Sequence, residues 1–255
     1  MNGKMSLAAL AAAIGVVGTA QAGDMTLTFQ GFGANQSVDV FFGGAGFAAD
    51  DNSAQSFTTL NHVGEYTWTN QFGADVTTFC VQIFEGVGDV GNEICFETVG
   101  LTEVPESPPQ PGNMSATQAG LMQDMYSRFI DPNSGSVADT SALGGYSDDV
   151  AAAAFALMVW EISHENVSDD SLAAGLADLD ITVGAFRGDV SGDLASAVSD
   201  IIDALGDGGF ISNENLFGLT NDDWQDQIMI IPVPTPVLLA GIGLVGAAAL
   251  RRRMR

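Results

Sequence analysis

Basic side chains are nearly missing from this sequence: 255 residues hold seven Lys and Arg against 32 Asp and Glu, a formal net charge of −25 at pH 7. Lys4 is the only lysine. A surface this acidic repels phosphate backbones and anionic headgroups, which excludes nucleic acid and membrane-surface binding by the body of the chain. Histidine is as scarce, with only His62 and His164. His164, beside Glu161 and Glu165, therefore reads as an exposed helix-end residue among acids rather than as a base or metal ligand. Two cysteines, Cys80 and Cys95, allow at most one internal disulfide. No nucleotide-binding loop and no Ser-His-Asp arrangement occurs, and with no catalytic, cofactor or metal constellation in view the expectation is a non-enzyme.

The few cations mark the ends. Apart from Lys4 and Arg251, Arg252, Arg253 and Arg255, only Arg128 and Arg187 lie between. Residues 1–22 run from Lys4 through an apolar stretch, Leu7 to Val17, to Ala20-Gln21-Ala22, the order that export machinery reads, so a signal segment cleaved after Ala22 is expected. At the other end a proline hinge (Pro232, Pro234, Pro236) precedes an apolar run, Val237 to Leu250, and then the arginines. Such a run spans about 21 Å as a helix and needs flanking residues to cross a bilayer. Arginines directly after it stay on the cytoplasmic side, so the body faces outward.

The string Val233-Pro234-Thr235-Pro236, the glycines of the run (Gly241, Gly243, Gly246) and the arginine cluster resemble the PEP-CTERM sorting signal of bacterial exported proteins. Thr235 stands where that family usually has Glu. The resemblance implies an exosortase-like protease as processing partner, membrane anchoring through the C-terminal segment in transit, and a final place at the cell surface or outside the cell.

Between the ends the grammar is first that of strands. "MTLTFQGF", "SVDVFFGG", "AQSFTTL", "GEYTWTN", "VTTFCVQIF" and "EICFETVGL" are short, rich in Thr, Val and Phe, and separated by Gly, Asn and Asp. Four prolines (Pro105, Pro108, Pro109, Pro111) then break the pattern. Ser115 with Gln118 makes a capping box ahead of an amphipathic helix, and Ser147 caps "DDVAAAAFALMVWEISHE", apolar on most sides and so expected to be buried. Further helices are expected near 171–180 and 190–205, and Asp226 to Ile231 as a strand returning to the first sheet. The expected class is α+β: an antiparallel β-sandwich or barrel-like sheet with an inserted or following helical subdomain and a returning C-terminal strand. The expected parts are 1–22 signal, 23–112 β-rich, 113–210 helical, 211–232 returning strand and 233–255 sorting segment.

Phe79-Cys80-Val81-Gln82 and Phe155 to Glu161, with "GEYTWTN" before and "DQIMIIPVP" after, resemble PEP-CTERM proteins whose bodies look like thioester domains. In such domains a strand cysteine joins a helix glutamine in a motif that ends in Trp. Cys80 fits the first partner; aligning Trp160 with the motif's Trp puts Ala156 at the glutamine, and alanine has no carboxamide to acylate a thiol. Gln82 lies on the same expected strand as Cys80 and takes no family role. Cys95 follows across "GVGDVGN", so two strands joined by a tight turn would place Cys80 and Cys95 side by side for a disulfide. Two free thiols and a reactive thiol are the alternatives. "DPNSGSVAD" has calcium-like spacing at Asp131, Asn133 and Asp139 but Ala142 where a loop of that type needs Glu, so it reads as a solvated turn. The first functional expectation is a structural or adhesive surface or matrix protein, with exopolysaccharide as a candidate partner. The others are a covalent adhesin using Cys80 and a weak calcium or polysaccharide binder.

Overall fold

The computed structural model describes residues 24–42, 58–83, 85–105, 112–137 and 143–231. The expected signal segment, and the sorting segment from Val233 to Pro236 and Arg251 to Arg255, lie outside the described residues.

Among the described residues seven antiparallel strands form the sheet: β1 (Met25–Phe42), β2 (Thr58–Asn70), β3 (Asp75–Cys80), β4 (Glu93–Val99), β5 (Phe186–Gly188), β6 (Leu216–Thr220) and β7 (Gln227–Ile230). Their order is β2-β3-β7-β6-β4-β1-β5, and β1 also pairs with β2. Six strands therefore close into a ring, with β5 added on the far half of β1. Closure removes the unpaired edges that an open sheet must otherwise protect. The expected α+β class, the barrel-like sheet and the returning C-terminal strand are all present.

One long β1 replaces the two shorter strands that the sequence pattern suggests. Its register against β2 shifts at Phe29/Gly31, Phe32/Asn35 and Gln36/Val38, and such irregularities bend a strand without ending it. The bends let Met25 to Thr28 pair with β4 while Val40 to Phe42 pair with β5. Gly64 sits where these segments press together: its φ is +154°, and a Cβ there would collide with the Ala34 carbonyl.

Alternation sorts the strands into inner and outer faces. On β4, Ile94, Phe96 and Thr98 are buried while Glu93, Cys95 and Glu97 face out. Phe29, Trp68 and Phe96 meet inside, with ring centroids 4.9 Å apart for Phe29 and Trp68 and 5.7 Å for Trp68 and Phe96. Trp68 also needs a partner for its N–H, and donates to Thr78 Oγ1 at 2.8 Å.

Among the described residues four α-helices accompany the sheet: α1 (Ala116–Phe129), α2 (Asp148–His164), α3 (Leu172–Ala177) and α4 (Gly192–Ala204). Ser115 and Gln118 complete the expected capping box, and Ser147 accepts from Val150 N at the start of α2. α2 is the buried helix, enclosed from Ala151 to His164. Its Phe155 packs against Phe79 of β3 at 4.7 Å and Tyr126 of α1 at 5.0 Å, so one apolar core joins helices and sheet. Among the described residues no helix is long and apolar enough to cross a membrane.

Candidate functional site

Cys80 ends β3, directly opposite Gln227 of β7. Cys95 lies on β4 opposite Thr26 of β1. Both thiols are free, Cys80 buried and Cys95 exposed, so the expected Cys80–Cys95 disulfide is not formed. The Gly-rich segment after β3 is no tight hairpin: Gly86 O accepts from Gln225 N, and Gly91 N donates to Phe29 O, so the segment crosses the end of the ring. The returning strands β7 and β6 occupy the place beside β3 where the sequence pattern put β4. Three inter-strand steps in either direction around the ring then separate the two strands, so they lie on opposite sides of it and are not the adjacent pair a disulfide needs.

The side chains of Tyr66 and Trp160 reach the Cys80 thiol, and burial pushes the thiol up to about 12 against the pull of those two groups. Trp160 Nε1 makes no hydrogen bond of ordinary geometry, so its contact with the sulfur is weak. Burial likewise pushes the Tyr66 and Tyr126 hydroxyls well up. A protonated thiol in dry surroundings is a poor free nucleophile at neutral pH. Ala156 is buried one turn before Trp160 on α2 and brings no carboxamide.

A carboxamide does stand beside Cys80, on the returning strand. Gln227 is fully buried, and its Oε1 accepts from Thr78 Oγ1 at 2.8 Å, while its Nε2 donates to Gln225 O at 3.2 Å. Trp68, Thr78 and Gln227 thus form a hydrogen-bonded row across β2, β3 and β7. Strand pattern alone does not mark Gln227 as a partner of Cys80. The one signal in the sequence is a glutamine opening an otherwise apolar strand, since a buried amide at such a position needs polar company. Gln82 serves another purpose, for its Oε1 accepts from Asp226 N at 3.0 Å and holds the entry to β7.

A second polar group lines the end of α2. His164 is buried, not exposed as its acidic neighbours suggested, because the chain from Asp180 to Phe186 folds over it. Its Nδ1 lies 2.8 Å from Ser163 Oγ, its Nε2 has no partner, and burial lowers its pKa to about 4. Glu161 Oε1 accepts from Asp180 N at 2.8 Å, and Glu165 Oε2 accepts from Ala185 N at 2.7 Å. Burial, then the charge of Glu165, pushes the Glu161 carboxyl well up. Gly184 has φ +100°, and a Cβ there would strike the Glu165 carboxylate, so glycine is required. These acids fasten a loop.

Hollows among the described residues include two lined by acidic side chains. One of about 610 Å³ is lined by Asp39, Thr59, Asp189, Ser191 and Asp193, and one of about 400 Å³ by Glu65, Ser136, Tyr146 and Asp148. Asp131 spends its Oδ1 on Asn133 N and Nδ2 at 2.8 and 3.0 Å, a local turn, while Asp139 and Ala142 lie outside the described residues. Among the described residues no three His, Cys, Asp or Glu are grouped to hold a metal. No family model matches the chain, and no curated protein or solved structure matches it.

Proposed function

We propose that this chain is an exported surface or extracellular-matrix protein with a structural or adhesive role and no catalytic activity. It would be delivered by residues 1–22 and sorted through residues 233–255 by an exosortase-like protease, with the membrane as its anchor in transit. The observation that carries the body's part of this reading is what its buried polar side chains do. Gln118, Asp124, Glu161 and Glu165 each spend at least one oxygen on backbone N–H groups, most of them in distant segments, while Glu161 Oε2 is buried without a hydrogen bond and Asp124 also accepts from Arg128. They act as fasteners of a closed, strongly acidic shell rather than converging on a hollow. An acidic exterior of this kind suits a salty outer medium, where ions screen its self-repulsion over about 8 Å or less.

The reading is tested by following the full chain in a bacterial host that carries an exosortase. The mature form is expected to begin at Gly23 and to appear at the surface or in the medium. Neutral replacements of Arg251, Arg252, Arg253 and Arg255 are expected to reduce correct sorting, since these charges set orientation. Met1 retained in the surface fraction, or identical processing of the neutral variant, refutes it.

A covalent role for Cys80 is the second reading, favoured by the carboxamide of Gln227 beside it. Polysaccharide and calcium remain the ligands to try on the acidic hollow at Asp39, Asp189 and Asp193.

A further inference from the structure

We infer that two copies of this chain join edge to edge through the far half of β2, Thr58 to Val63, paired antiparallel about a two-fold axis. Closure of the ring does not reach that half. β2 runs beside β1 from Thr58, opposite Val40, to Asn70, opposite Leu27, whereas β3 meets it only from Tyr66 to Thr69. Among the described residues no strand lies on the other side of Thr58 to Val63. Across the same arm β5 pairs with β1 at Val40 to Phe42. The arm is thus a three-stranded sheet, β5-β1-β2, open along β2.

The backbone decides what such an edge takes, because a row of unpaired N–H and C=O groups is completed by another strand. Thr58, Thr59, Asn61 and His62 are exposed, on both faces of the arm, so a strand can approach. The usual guards are missing. The segment "TTLNHV" has no proline, no lysine and no carboxylate, and the register shift at Gln36/Val38 twists the edge without charging it. Two of its side chains are drawn toward β1. The His62 ring stacks on Phe32 with centroids 4.0 Å apart, its Nδ1 lies 3.2 Å from Asn35 Oδ1, and Thr59 Oγ1 donates to Asp39 Oδ1.

Charge selects the occupant and the register. A chain of net charge −25 repels a second copy wherever carboxylates face each other. Pairing centred between Leu60 and Asn61 sets Thr59 opposite His62 and Leu60 opposite Asn61, so no carboxylate of one β2 segment meets one of the other. Each copy gives the groups it receives. The arms become one six-stranded sheet, and repulsion between the remaining acids is screened over about 8 Å at physiological salt, so the pair tightens as salt rises. The inference deepens the structural reading above, but it rests on the open edge alone and stands or falls apart from export and sorting.

Sedimentation of the purified full chain, in a mild detergent that covers the apolar run Val237 to Leu250, is the test. The expected result is a dimer whose association constant rises on the order of tenfold between about 0.05 and 0.5 M NaCl. Asn61→Glu brings a carboxylate to the axis from each copy and should weaken association by about tenfold or more, while Asn61→Gln should leave it unchanged. Val90→Glu adds the same charge at an exposed site outside the arm and should change it by less than about twofold. In the native protein, dimer formation should slow hydrogen exchange at the amides of Thr58 to Val63, a readout that holds even if a variant fails to fold. A monomer at every concentration and salt overturns the proposal, as does a dimer that Asn61→Glu leaves intact. Equal weakening by Asn61→Glu and Val90→Glu, or protection gained only outside Thr58 to Val63, overturns it too.

Discussion

Gln118 Nε2 donates to the carbonyl of Ile162 at 2.8 Å, so a side chain in the first turn of α1 closes the last turn of α2. The same side chain's Oε1 accepts from Ser115 N at 2.8 Å, which completes the cap of its own helix. One amide thereby satisfies backbone groups at two helix ends that would otherwise be orphaned in the core. Gln118→Ala is expected to lower unfolding stability by about 2 to 4 kcal/mol, the loss of a cap together with unpaired buried groups. Gln118→Glu keeps the acceptor for Ser115 but sets a carboxylate against carbonyl oxygens, and should be no better. Urea unfolding checks both. A cost below about 0.5 kcal/mol for the alanine variant, the range of ordinary surface changes, would refute the double-cap role.

Asp124 does the same for the turn after α4. It is fully buried and accepts from Gly206 N at 2.7 Å, Ile211 N at 2.8 Å and Arg128 Nε at 3.0 Å. Arg128 in turn donates to the carbonyls of Asp207 and Gly209. Asp124→Ala is expected to cost about 3 to 5 kcal/mol, because it leaves buried donors and a partly buried cation unpaired. Changing Arg128→Met as well should restore part of that loss. Additive losses in the double-mutant cycle would show that the two side chains do not act as a unit.

The cysteines give a direct contrast between strand pattern and strand order. Native protein should present one readily labelled thiol, Cys95, whose strand face is exposed, while Cys80 stays unlabelled. Added reductant should leave the unfolding midpoint unchanged, whereas reducing a disulfide in a loop of this size costs on the order of 3 kcal/mol. Protection of both residues from label in the native state, together with a reductant-sensitive midpoint, would reinstate the bridge.

That contrast also marks how much was legible in the sequence. Alternation and caps are local, so the strands around Tyr66 and Ile94, the box at Ser115 and Gln118, and the cap at Ser147 could all be read from short windows. The buried helix was legible too, since an apolar surface on most sides leaves no face for water. Strand order is not local. That β7 and β6 insert between β3 and β4 depends on closing the ring across more than a hundred residues, and no short window encodes it. The settings of Gln227 and His164 were hidden for the same reason. One is defined by a partner on β3, and the other by the distant segment from Asp180 to Phe186 that covers it.

His164 leads to a prediction about pH. Burial lowers its pKa from 6.5 to about 4, so the unfolded chain takes up a proton across that interval and the folded protein does not. Its contribution to stability is therefore fully present above about pH 6.5 and declines as pH falls toward 4. The change amounts to about 3 kcal/mol at 1.36 kcal/mol per pH unit. Glu161, on the same helix and pushed well up by burial and Glu165, works in the opposite sense. It favours the folded state below its unfolded value near 4.5 and opposes it as pH rises toward its folded value. The two effects are separated by comparing the native sequence with His164→Gln, whose amide does not titrate and keeps a donor near Ser163. Between pH 6.5 and 4 the native chain should lose stability relative to the variant, with a slope approaching one proton. Above pH 7 the difference should be constant. Parallel stability curves through the acid range would mean that His164 is not held neutral in the folded protein, and that the segment over it opens to water.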